Sequence, residues 1–138
     1  MSRARKSVGL TFTEVVRMAA ELPGVKESTS YGTPALKVQD KLMARLWEDG
    51  VTLVLKVPFM VQEFLLRGQP KVFFLTDHYR GYPVVLVRLP LVDRAQFRAL
   101  LEDAWRQVAS KRLQASYDAG PEKALARPRR RGPATRET

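Results

Sequence analysis

Two alternating runs separated by Glu48-Asp49-Gly50 constrain this chain more than any other stretch. In a strand, successive side chains point to opposite faces, so Leu42, Ala44 and Leu46 share one face while Met43, Arg45 and Trp47 share the other. Beyond the turn, Val51, Leu53, Leu55 and Val57 alternate with Thr52, Val54 and Lys56. Asp-Gly between two such runs is a strong hairpin signal. A hairpin with one apolar face needs a second layer to cover it. The remaining segments are therefore read for what they can lay against that face.

Helices stand at both ends. Thr11-Phe12-Thr13-Glu14 has capping-box spacing, and Phe12, Val15, Ala19 and Leu22 then recur on one helical face until Pro23-Gly24. Near the other end, Asp93 is placed to cap a helix from Arg94 to about Ser116. Its stripe is Phe97, Leu100, Leu101, Ala104, Trp105, Val108 and Leu113. Between them, residues 28–38 begin polar and become strand-like, with Leu36 and Val38 toward the core and a turn at Asp40-Lys41. Pro58 opens a short helix that ends at Gly68, Lys71–Leu75 is extended, and Val84–Arg88 is a strand. Antiparallel strands flanked by helices give an α+β two-layer sandwich, with the N- and C-terminal helices on one face of the sheet and the other face at least partly open.

The chain has 138 residues and a formal net charge of +10, but seven of those ten charges fall in residues 1–9 and 120–138. The expected organisation is therefore a flexible basic arm over 1–9, one domain over 10–119, and a disordered basic tail over 120–138. There is no cysteine, which excludes disulfides and thiolate-held metals. No apolar run approaches the length of a membrane span, and Glu14 and Arg17 interrupt what would be a signal-peptide core. A cytoplasmic, monomeric protein without membrane contact is the expectation.

Three groups of residues carry candidate chemistry. Lys37, Arg45, Trp47, Lys56 and Arg88 alternate onto the face opposite the helices. Basic side chains around an aromatic ring suit a phosphate backbone and a stacked base, although a solvated sheet face has the same composition. Arg129, Arg130 and Arg131 form the tail cluster, which would bind nucleic acid without sequence preference or serve only solubility. The third group is Thr76-Asp77-His78-Tyr79-Arg80-Gly81-Tyr82-Pro83, with the only histidine of the chain. His78, Tyr79, Arg80 and Tyr82, together with Tyr31, are candidates for a ligand pocket. No catalytic role is assigned: Asp77 points away from His78 in an extended segment, and no nucleophile–base or phosphate-loop motif accompanies them. No metal site is expected, since Glu48-Asp49 and the Glu14/Glu21 pair make no oxygen cage. No cofactor is expected.

Several of these segments together resemble the MmcQ/YjbR family. They are Glu21-Leu22-Pro23-Gly24-Val25, Gly32-Thr33-Pro34, Trp47-Glu48-Asp49-Gly50, His78–Pro83, Ala104-Trp105 and Lys111-Arg112-Leu113, in order, over about residues 11–118. The resemblance implies a frataxin-like (CyaY-like) sandwich and a DNA-binding label, with no reaction and no catalytic residues. It implies no iron role here, because the first helix lacks an acidic ridge. The expected function is non-enzymatic nucleic-acid binding through the basic tails and the basic sheet face. The alternative is a protein-interaction or small-anion-binding module built on the His78–Pro83 loop.

Overall fold

The computed structural model describes residues 8–126, with side chains through Gly120. Its elements are α1 (Phe12–Ala19), β1 (Val25–Ser30), β2 (Thr33–Val38), β3 (Lys41–Leu46), β4 (Thr52–Lys56), α2 (Phe59–Gly68), β5 (Phe73–Phe74), β6 (Val84–Arg88), α3 (Arg94–Val108) and α4 (Lys111–Ala126). The six strands form one antiparallel sheet in the order β1-β2-β3-β4-β6-β5. The expected α+β sandwich is the observed one.

The central hairpin forms as its pattern dictates. Arg45 pairs with Val54 and Leu46 with Leu53 across β3 and β4. Asp49 closes the turn by accepting from the Val51 and Thr52 N–H groups and from the Thr52 hydroxyl. Burial pushes the Asp49 carboxyl up, and these donors outweigh it and hold it below the ordinary aspartate value.

One side of the sheet carries Leu36, Val38, Ala44, Leu53, Leu55, Val85 and Val87 into a continuous core with Val15, Met18, Phe97, Leu101 and Trp105 from the helices. The expected α1 capping box is present. The Thr11 N–H donates to Glu14 Oε1 at 2.9 Å, and the Glu14 N–H donates to the Thr11 hydroxyl at 3.2 Å. Arg94, at the start of α3, reaches both Glu14 and the Gly9 carbonyl, so the two helix starts are tied together. Trp105 is fully buried, and its indole N–H donates to the Pro23 carbonyl at 2.8 Å. Gly24 has φ +80°, a left-handed backbone that favours glycine, and a Cβ there would stand 2.9 Å from Leu113 Cδ1 and push that side chain of α4 aside.

Several sequence expectations are corrected. Met43 lies in the core and Leu42 is only half-buried, the reverse of simple alternation. The cause is a bulge in the β2–β3 pairing: Leu36 faces Ala44 but Lys37 faces Leu42, leaving Met43 as the extra residue. The polar segment Val25–Ser30 is an edge strand that no apolar alternation announces. The turn before β3 is Gln39-Asp40, both at positive φ, rather than Asp40-Lys41. The single long C-terminal helix is two. Ala109 takes extended angles, and the Ser110 hydroxyl accepts from the Leu113 N–H to start α4. Helical backbone continues past residue 119 to Ala126, broken at Gly120, which is non-helical. Val8 and Gly9, placed with the basic arm, pair with Asp93 and Val92.

Candidate functional site

The face away from the helices carries the residues that the sequence singles out. Cross-strand partners share a face, so Arg45, Val54 and Leu86 lie together, followed at alternate positions by Ala35, Lys37, Thr52, Lys56, Val84 and Arg88. This face is not an open basic surface. Ala35, Val54 and Leu86 are buried on it although they lie outside the main core.

The segment linking β5 to β6 bends back over this side of the sheet. It contains a short helical turn, Asp77–Tyr79. Its β6 end is fastened by three hydrogen bonds. The Gln62 side-chain amide donates to the Tyr82 carbonyl at 2.8 Å and to the Val84 carbonyl at 2.7 Å, and the Val57 N–H donates to the Pro83 carbonyl. The middle is fastened to the sheet through Arg45. Arg45 Nη2 donates to the Tyr79 hydroxyl at 3.0 Å, and Nη1 donates to the Thr33 hydroxyl at 2.9 Å. Nη1 also approaches Glu48 Oε2 and the Leu46 carbonyl at 3.4 and 3.5 Å.

Arg45 is 5% exposed, and Tyr31 lies with its ring centroid 5.3 Å from the guanidinium carbon. Burial works against the charge. The Tyr79 hydroxyl and the Glu48 carboxylate more than offset it, and they hold the side chain protonated above the ordinary arginine range. Among the described residues its ion-pair partner is Glu48 alone, and that side chain is itself exposed.

Around this arginine is a cavity of about 290 Å³ lined by Tyr31, Arg45, Trp47, Glu48, Thr76, His78 and Tyr79. Its walls are largely aromatic. The His78 and Tyr79 rings meet edge to face at 4.8 Å, and Trp47 meets Phe74 edge on at 6.2 Å. The Thr76 hydroxyl oxygen is buried and has no hydrogen-bond partner among the described residues.

The structure thus brings Tyr31, His78 and Tyr79 together and adds Arg45 and Trp47 from the other sequence-level group. It leaves out two of the loop residues. Arg80 pairs with Asp77 at 2.9 Å in the open, and Tyr82 is exposed outside the cavity. Arg88 also lies on this face, stacked 4.0 Å over Phe74 with its Nη1 donating to the Lys71 carbonyl. Lys37 and Lys56 are half-buried without an ion pair among the described residues. Arg129, Arg130 and Arg131 lie outside the described residues.

Thr76 and Glu48 are pocket residues that sequence reasoning did not assign. Thr76 stood in the singled-out loop and Glu48 in the hairpin turn. The missing signal was the Arg45–Tyr79 contact, which joins positions 34 apart. Among the described residues, no three His, Cys, Asp or Glu side chains are placed to hold a metal, and no helix is long and apolar enough to cross a membrane.

The YjbR family model matches residues 20–107, from before β1 to the last turn of α3. Uncharacterised proteins of Mycobacterium bovis and Mycobacterium tuberculosis are each 41% identical to this chain over 49 residues. The alignment spans 36% of this chain and 38% of theirs, so well under half of either relative is matched. The crystal structure of a Deinococcus radiodurans protein with a DUF419 domain superposes with a TM-score of 0.65. It covers 78% of this chain and 88% of that one at 21% identity, a likeness of fold.

Proposed function

The chain belongs to the YjbR family, and from that premise we propose that it is a binding module, not a catalyst, whose ligand is a small anion held in the pocket beside Arg45. The observation that carries this reading is the buried guanidinium. A charge taken out of water calls for an opposite charge, and among the described residues the one that Arg45 meets is Glu48, 3.4 Å from Nη1 on a largely exposed side chain. An anion entering the cavity would complete the site. Among the described residues no carboxylate pairs with His78, and Asp77 is engaged by Arg80, which supports binding over proton transfer.

Trp47 lines the cavity and gives the measurement. Adding a small carboxylate or inorganic phosphate to the full chain should change tryptophan emission saturably, and Arg45→Gln should abolish the change. An emission change that is linear in added anion, or one retained in the variant, would sink the proposal.

A second reading is nucleic-acid binding, supported by Lys37, Lys56 and Arg88 sharing one face and by the basic ends of the chain. On this reading residues 10–119 form one domain that carries part of the contact and Arg129–Arg131 the rest. Arg45 is buried out of reach of a nucleic-acid backbone and Arg88 is held by the Lys71 carbonyl and the Phe74 ring, so the phosphate contacts fall mainly to the two lysines and the tail. Affinity for DNA should then fall steeply with salt. Replacing Arg129, Arg130 and Arg131 by serine should flatten that dependence, and Lys37→Ser with Lys56→Ser should flatten it further. Absence of binding to single- and double-stranded DNA at ~50 mM salt would end this reading.

A further inference from the structure

Resting on the small-anion reading of the Arg45 pocket, we infer that its ligand is a planar aromatic carboxylate, with the carboxylate on Arg45 and the ring among Tyr31, Trp47 and His78.

The first observation is Tyr31. It sits in the two-residue loop between β1 and β2 at φ +54°, followed by Gly32 at φ +81°. Loops with positive φ at both positions favour Asn-Gly, and a tyrosine in the first place is strained by its Cβ. The ring is nonetheless 82% exposed, so no core packing repays the strain. What it does instead is stand over the Arg45 guanidinium at the mouth of the cavity. An exposed aromatic in a strained conformation beside a buried cation is placed to meet a flat partner.

The second observation is the shape of the charge. Each η nitrogen of Arg45 spends one N–H on a hydroxyl, Nη1 on Thr33 and Nη2 on Tyr79, which leaves the second N–H of each for a two-oxygen carboxylate, and one arginine partly countered by Glu48 suits a single negative charge better than a phosphate dianion. The Glu48 carboxylate, 3.4 Å from Nη1, occupies the place a ligand carboxylate would take more closely. Thr76 offers the second oxygen a donor once its unpartnered hydroxyl turns toward the cavity.

The third observation is size. About 290 Å³ lies just below the ~300–1,000 Å³ typical of small-molecule sites, room for one ring system.

Calorimetric titration of the full chain with benzoate, cyclohexanecarboxylate and inorganic phosphate tests this. Benzoate should bind one site, about tenfold tighter than cyclohexanecarboxylate, the difference being the ring-face contacts. Tyr31→Asn, which the turn accommodates, should remove that preference. Glu48→Gln should tighten benzoate several-fold by removing the internal competitor. Equal affinity for the two carboxylates, or a preference surviving Tyr31→Asn, overturns the aromatic inference while the anion reading stands. Binding of phosphate without either carboxylate does the same. No saturable binding of any of the three overturns both.

Discussion

Arg45 in β3 donates to the Tyr79 hydroxyl at 3.0 Å, and this one contact fastens the β5–β6 connection to the face of the sheet that the helices leave bare. The same guanidinium holds the Thr33 hydroxyl in β2, so a single buried side chain joins three separate parts of the chain. Tyr79→Phe keeps the ring and deletes the hydroxyl. It should lower stability by about 1 kcal/mol, read as a fall in urea midpoint with unchanged slope. Arg45→Met takes its donor from the Tyr79 hydroxyl and leaves the Thr33 hydroxyl with only its bond to the Ser30 carbonyl, and should cost about 1–3 kcal/mol. Because the two changes share one bond, the double variant should lose less than the sum of the single losses.

The bulge between β2 and β3 sets which residue of Leu42-Met43 is inside. Met43 is 1% exposed in the core, so Met43→Ala should cost about 2–5 kcal/mol, whereas Leu42→Ala should cost well under half as much. Plain alternation predicts the opposite order, so thermal denaturation of the two variants decides between them directly.

That reversal marks where the sequence stops being legible. Period-two alternation identified the central hairpin and correctly placed Arg45, Lys56 and Arg88 on one face, because the Glu48-Asp49-Gly50 turn fixes its register. A bulge leaves no mark in composition, since it only adds one residue to one strand. β1 was missed for a related reason: as an exposed edge strand it has no apolar face to show. In the pocket, each wall was visible as an unusual local stretch, but the partnership of Arg45 with Tyr79 is a tertiary contact with no spacing signature. Charge counting read Arg45 as a surface cation. Only burial and hydrogen bonding show it to be the centre of a polar network.

Acid should loosen the junction of α1 and α3. The Glu14 carboxyl is held below its ordinary value, first by the Thr11 N–H and then by Arg94. A depressed carboxyl contributes stability that is present above the ordinary glutamate value and lost as pH falls through the lower folded value. Asp118 behaves alike because Arg106 bonds to it. Stability measured by urea titration should therefore be flat near neutrality and decline through the acid range. Glu14→Gln should shrink the decline while leaving the neutral plateau slightly lower. An unchanged acid slope in that variant would mean that the capping carboxylate carries no linkage.

Tyr31 carries the last expectation, because stability and binding should move in opposite directions there. Asparagine tolerates the left-handed conformation that Tyr31 adopts, and Asn-Gly is the favoured pair for a loop with positive φ at both positions. The ring is 82% exposed, so its removal forfeits little packing. The loss is confined to its contact with Arg45, at 5.3 Å and with the ring itself in water, worth about 0.5–1 kcal/mol. Relief of left-handed strain is worth about 1–2 kcal/mol, so relief wins and Tyr31→Asn should raise the unfolding midpoint. A residue that could be improved so simply for folding, and is not, is held for something else. If Tyr31→Asn instead lowers the midpoint, the ring is structural and its place at the cavity mouth needs no ligand to explain it.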